Sequence, residues 1–186
     1  MAILNSRDGK APGISGLSTD ILRPIAFLVA PVLSVMFATY FSLGVVPSSW
    51  TRAHICPVPK KGDLSLISNY RPISLTETTR KLYELSLLPH LTPLAPLSRE
   101  QGGFRASRST IDQIEALDTL IKHVKRPELA FLDIKAAYDS VPRPVLWKRC
   151  LDIGLQPCVV RSLMSLFDHN SAQLAVKQCR SQPFSQ

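Results

Sequence analysis

The sequence predicts an α+β fold, rich in helix and holding a small antiparallel sheet. Three observations predict it. Residues 52–59, RAHICPVP, and 70–75, YRPISL, are short β-prone runs on either side of a Lys-Lys-Gly-Asp turn. Residues 77–90 and 109–124 carry apolar side chains at helical spacing. Residues 129–133, LAFLD, form a short apolar run that stops on an acid. No repeat, low-complexity tract or linker divides the chain, and its 186 residues are enough for one domain with a core of its own.

Taken in order, residues 8–20, DGKAPGISGLSTD, hold three glycines and a proline and read as a loop, with Ser18 or Thr19 able to cap a following helix. Residues 25–46, IAFLVAPVLSVMFATYFSLGVV, carry no charge. That length can span a bilayer. Pro31 interrupts it, and Ser34, Thr39, Ser42 and Gly44 dilute it, so a core helix over about 32–44, buried on all sides, is the reading preferred to a membrane span. Pro47 ends this helix and Trp50 opens the next packed segment.

In the run 52–59, Pro57 and Pro59 confine the strand to an edge or to its end. Lys60-Lys61-Gly62-Asp63 is the tip, and 70–75 the returning strand despite Pro72. A helix follows over 77–90, with Leu82, Leu85 and Leu88 three apart. Residues 91–109 are loop, and Ser109 or Thr110 caps a helix whose Ile111, Ile114, Leu117, Leu120 and Ile121 fall on one face. The buried strand 129–133 comes next. Pro142 and Pro144 suit the start of a helix ending near Gly154, a further helix covers 159–167, and the tail begins with a strand, AQLAVKQC.

Composition narrows the function. The formal net charge of +8 favours an anionic partner such as nucleic acid. The cysteines at 56, 150, 158 and 179 form no Cys-x-x-Cys, and the fragment His54-x-Cys56 lacks partners, so no zinc site is expected and the thiols read as reduced, in an intracellular protein. The opening MAILNSRDGK lacks the layout of a signal peptide, and the compartment stays open. Ala11 follows Lys10 where a Walker-type phosphate loop needs Ser or Thr.

Asp133 leads the residues suited to chemistry. An acid at the end of a strand, with the Ile134 carbonyl beside it, offers oxygen ligands of the kind magnesium takes together with water and substrate phosphates. The plain alternative is an acid that closes a turn. Asp139 is the other nearby acid, and Asp139-Ser140-x-Pro142 reads better as a helix cap than as a ligand. Tyr138 suits either the core or a substrate sugar. Lys60 and Lys61 on the tip and Arg71 on the returning strand could converge on one triphosphate, against the alternative of a solvated hairpin edge. Arg105 and Arg108, in QGGFRASRST, suit backbone phosphates.

Together these blocks resemble the reverse transcriptases of non-LTR (LINE-like) retrotransposons. DGKAPGISGLS resembles the opening lysine-glycine block, WTRAHICPVPKKGD with SNYRPISL the fingers hairpin, and RKLYE the next helix. QGGFRASRST is similar to the block after that helix, and AFLDIKAAYDSVPR to the first catalytic motif of the palm. The resemblance implies a partial right-hand polymerase: fingers over about 8–125, an incomplete palm over about 126–186, no thumb and no endonuclease domain. It implies that Asp133 is the first metal-binding aspartate and that Tyr138 screens the sugar 2′ position. Arg71, with Lys60 or Lys61, would hold the incoming dNTP, and Gln101, Gly103, Phe104 and Arg105 would lie near the template path. It further implies Mg2+, an RNA template and a DNA primer as partners, and no membrane. Ser15 departs from the pattern, which usually has an acid there, and no Asp-Asp occurs in the 186 residues. The expected activity is RNA-directed DNA polymerisation, negligible for this polypeptide alone. The alternative is a non-catalytic nucleic-acid-binding remnant of a decayed retroelement.

Overall fold

The computed structural model describes residues 2–6, 9–94, 97–176 and 179–185; Asp8 of the opening block, and Lys177 and Gln178 of the tail, lie outside them. The chain divides into two units, the first formed by residues up to Leu94 and from Arg149 onward, the second by residues up to Lys148 between them.

In the first unit, a short helix α1 (Ala2–Asn5) and a single turn α2 (Thr19–Leu22) precede α3 (Ala26–Leu43). Gly44 ends α3 in the left-handed conformation, φ 68°, and its N–H bonds the Tyr40 and Phe41 carbonyls. A Cβ there would also meet the Arg161 side chain, which would have to shift, so the left-handed backbone is what calls for glycine. A 3-10 turn, Ser48–Thr51, carries the buried Trp50 into β1 (Arg52–Pro59). β2 (Tyr70–Leu75) returns and leads into α4 (Thr78–Leu91). In the second unit, α5 (Thr110–His123) begins with a complete capping box, Ser109 Oγ accepting from the Asp112 amide while Asp112 accepts from the Ser109 amide. The boundary to the first unit falls within α6 (Arg143–Asp152). Beyond it come α7 (Pro157–Phe167) and the strands β3 (Ser171–Val176), β4 (Cys179–Arg180) and β5 (Phe184–Ser185).

The strand order is β2-β1-β3-β4, with β5 also on β3. The sheet is mixed, which corrects the expected antiparallel one: β1 runs parallel to β3, from Arg52↔Ser171 to Ile55↔Leu174. Parallel neighbours need a long crossover, and here the whole chain between them supplies it. β1 and β2 pair antiparallel, His54↔Leu75 through Pro59↔Tyr70. The Lys60 amide bonds the Asn69 carbonyl, 2.7 Å, in the same register. Alternation from that bonded pair puts Pro57, Pro59 and Pro72 at positions where an N–H would point away from the partner strand. β1 therefore lies inside the sheet over its first half, and its prolines fall beyond the stretch paired with β3.

The core of this unit has an aliphatic cluster of Ile3, Leu22, Ala26, Leu33 and Leu82 and a second cluster centred on aromatic rings. Phe37, Tyr40, Trp50 and Tyr83 meet at ring-centroid distances of 5.2–6.0 Å, mostly edge to face. The Tyr83 hydroxyl and Ser162 Oγ, both buried, share a hydrogen bond of 2.5 Å, so neither is left unpaired. Arg80 is buried beside them: it donates to Glu84 (2.8 Å) and to the Trp50 carbonyl (2.6 Å), and its guanidinium lies over the Phe167 ring.

Two sequence expectations need correction. Helix α3 is not buried on all sides: only Ala26 and Leu33 of its 18 residues are fully buried, while Phe27, Leu28, Val32, Val35 and Leu43 are exposed. Its partners α1, α4 and α7 take one flank, and a cleft of about 1130 Å³ lined by Phe27, Phe37, Leu87 and Leu91 opens beside it. The second correction concerns residues 129–133, which form no strand. The backbone there finds no ladder among the described residues, and the side chains lie open, Phe131 82% and Leu132 94% exposed. A strand exists only where a neighbour accepts its hydrogen bonds.

Candidate nucleotide and nucleic-acid site

The β1–β2 hairpin sorts its cations by register. Val58 pairs with Arg71, so their side chains share a face, and Lys60, two residues beyond Val58, falls on that face too. Lys61 sits one residue further, in the bend at the tip. Lys60 donates to the Ser68 carbonyl, 3.0 Å, which holds it along the hairpin. Arg71 is exposed. The tip has its own bracing: Asp63 accepts from the Ser65 amide (2.9 Å) and hydroxyl (2.8 Å), Asn69 Nδ2 donates to the Asp63 carbonyl, and the Tyr70 hydroxyl to that of Leu64. The two bonds from Ser65 hold the Asp63 carboxyl below its usual range. A braced loop keeps Lys60 and Arg71 at a fixed separation along one face.

Beside the hairpin, the glycine-rich opening loop is clamped to the start of α4. Ser15 donates its amide (2.9 Å) and hydroxyl (2.5 Å) to the buried Glu77 carboxylate, and Thr78 Oγ1 donates to the Leu17 carbonyl (2.5 Å). Gly13 lies so close to the backbone at Thr76 and Glu77 that a Cβ would sit 2.7 Å from it. Lys81 donates to the Ala11 carbonyl (3.2 Å), and its pKa is lowered by burial and by Lys10 nearby. Sequence reasoning missed Glu77, because its partner lies 62 residues away. The only local hint was Ser15 standing where the resemblance expects an acid.

In the second unit, the loop before α5 is tied by Gln101 Nε2 to the Gly103 carbonyl (3.2 Å) and by Arg105 Nη1 to the Ser98 carbonyl (2.6 Å). The Glu100 carboxyl is held below its usual range by its own amide and by Ser98, with Arg105 adding a smaller share. Gly102 packs against the Gln113 side chain, and Arg108 lies exposed just before the capping box. Phe104 meets the Tyr138 ring edge to face, with centroids 6.4 Å apart. Tyr138 lies in a run of turns in which the Ser140 amide bonds the Ala136 carbonyl (2.9 Å). Asp139 does not cap α6; the Pro142 carbonyl accepts from Val145 and Leu146 and so starts that helix. Asp133 and Ile134 are exposed, and no group of three metal-ligating side chains gathers among the described residues. One carboxylate and one carbonyl match the protein's share of a single Mg2+ shell and fall short of a two-ion centre.

The arrangement thus groups Lys60 with Arg71 in one unit, and Phe104 with Tyr138 in the other. Residues 58–184 match the family described as reverse transcriptase (RNA-dependent DNA polymerase). The chain is 29% identical over 174 residues to the "Transposon TX1 uncharacterized 149 kDa protein" of Xenopus laevis, covering 90% of this chain and 13% of that protein. It is 28% identical over 153 residues to the "Retrovirus-related Pol polyprotein from type-1 retrotransposable element R2" of Popillia japonica, covering 78% and 20%. It is 26% identical over 144 residues to the "Probable RNA-directed DNA polymerase from transposon BS" of Drosophila melanogaster, covering 71% and 16%. The chain spans a fifth or less of the length of these curated relatives.

Proposed function

We propose, for a chain that belongs to the reverse transcriptase (RNA-dependent DNA polymerase) family and is a domain of the non-LTR retrotransposon kind, a triphosphate clamp in the first unit and a sugar and template face in the second. Residues of about 8–125 act mainly as fingers and those of about 126–186 as part of a palm, within a right-hand polymerase. Arg71 and Lys60 hold the triphosphate of an incoming dNTP, Arg by its fork and Lys as a point charge. Lys61 faces solvent beside them and adds general attraction. Asp133 and the Ile134 carbonyl are the residues that would hold Mg2+, which when bound would supply positive charge. Tyr138 lies against the sugar, and Gln101, Gly103, Phe104, Arg105 and Arg108 line the path of an RNA template paired with a DNA primer. The observation that carries this reading is the shared face of Lys60 and Arg71 on a braced hairpin.

Its test is equilibrium binding of a dNTP with Mg2+ to the chain on a primer–template. Arg71→Ala should weaken binding about tenfold or more, the worth of a charge-assisted hydrogen bond. Unchanged affinity in Arg71→Ala would remove the clamp.

A second reading, nucleic-acid binding without catalysis, is favoured by the open Asp133 segment. It expects affinity for primer–template that falls steeply with salt and does not respond to Mg2+ or dNTP.

A further inference from the structure

We infer that Phe104 is a positioning residue for Tyr138, setting the aromatic wall that distinguishes deoxyribose from ribose; this rests on the reading of Tyr138 as the residue at the sugar. Phe104 has no part in a core: its side chain is 85% exposed, and Tyr138 is 79% exposed. Large aromatics so open to water contribute little to stability by burial. Among the described residues their one ring contact is with each other, at 89° between planes, the edge-to-face geometry in which the positive rim of one ring meets the negative face of the other. The backbone at Phe104 is strained as well. Phe104 sits at φ 60°, a conformation uncommon for any residue with a Cβ. Two glycines, Gly102 and Gly103, stand immediately before it, yet the left-handed position falls on the aromatic.

The two loops are braced on either side of the pair. The Arg105 and Gln101 bonds and the Ser109–Asp112 box fix the loop that carries Phe104. The Ser140 amide, and Ser140 Oγ bonded to the Ala137 carbonyl (3.1 Å), fix the turn that carries Tyr138. Tyr138 has no side-chain hydrogen bond among the described residues, so the Phe104 ring is what restrains its rotation. A ring free to swing would yield to a 2′-hydroxyl. A ring held by a neighbour would not.

The test is binding of a dNTP and of the matching rNTP, each with Mg2+, to the full chain on a primer–template. It compares the unaltered chain with Phe104→Ala, Phe104→Trp and Tyr138→Ala. Phe104→Ala should lower the preference for dNTP over rNTP by about two- to tenfold, the range an edge-to-face pair can supply. Phe104→Trp should retain the preference. A preference unchanged in Phe104→Ala but lost in Tyr138→Ala overturns this inference and leaves Tyr138 at the sugar. A preference indifferent to both substitutions, or absent from the start, removes the sugar reading of Tyr138 and the inference with it.

Discussion

Ser15 gives both its amide and its hydroxyl to one carboxylate, that of Glu77, across 62 residues of sequence. Glu77 is buried, so the two bonds offset the loss of its hydration. Glu77→Ala should cost about 2–4 kcal/mol, since it strips a partner from Ser15 and loosens the opening loop from α4. Ser15→Asp should cost at least as much, because two carboxylates would face each other at hydrogen-bond distance. Ser15→Asp combined with Glu77→Ser restores one acid and one hydroxyl and should recover most of that loss. Urea unfolding of the unaltered chain, Ser15→Asp, Glu77→Ser and the double variant, read as a double-mutant cycle, gives the coupling; additive costs would mean that the two side chains do not act as a pair.

Burial pushes the Tyr83 hydroxyl up from its usual 10.0, and the bond with Ser162 only partly opposes this. The folded chain therefore keeps this proton at a pH where the unfolded chain has lost it. Stability from Tyr83 is complete below about pH 10 and falls as the pH rises above it. Tyr83→Phe should flatten that alkaline decline relative to the unaltered chain, at a cost of about 1–2 kcal/mol at neutral pH from the Ser162 hydroxyl left without its partner. Thermal melts between pH 8 and pH 11, a range chosen to straddle the usual value, would show the same slope in both proteins if Tyr83 had no part in it.

Lys60 and Lys61 should separate in their effects. Lys60→Ala should weaken dNTP binding severalfold at physiological salt, because it removes a cation on the Arg71 face. Lys61→Ala should act chiefly through long-range attraction, so that its effect fades by about 0.5 M salt, where the Debye length is only a few ångströms. Titrations at low and high salt decide between them, and equal, salt-sensitive losses would assign both lysines to the general field.

Polymerisation by residues 1–186 alone should be negligible in a primer-extension assay, because Asp133 has no carboxylate partners gathered around it among the described residues. Asp133→Asn should leave primer–template affinity within about twofold, since removing an acid costs no phosphate contact. Templated extension lost on Asp133→Asn would show instead that this polypeptide assembles a working centre.

The open flank of α3 should make the isolated chain associate with itself as concentration rises. Phe27→Ser with Val35→Ser removes two of its most exposed apolar side chains and should raise solubility with little loss of stability. Sedimentation at two concentrations measures this.

The hairpin and the helices were legible in sequence because each is written locally. YRPISL pairs as read, and Ser109 caps α5 through the acid three residues on. Residues 129–133 misled because an apolar run announces burial but cannot supply the strands that would accept it. The apolarity of α3 was visible, but not its start: the helix begins at Ala26 and runs through Pro31 instead of beginning near 32, and the side left uncovered depends on which neighbours arrive. The Ser15–Glu77 clamp and the Phe104–Tyr138 contact were not legible, since each joins side chains from distant blocks with no periodicity in common.

The placement of Pro72 has an effect on the company this chain keeps. β2 is the outermost strand, and its free edge would otherwise offer an unbroken row of amides to any extended peptide that drifted alongside. Pro72 removes a donor from the outward-facing side of that row. A would-be added strand meets a gap halfway along, next to the cation at Arg71. One missing donor midway makes this edge a poorer template for sheet growth.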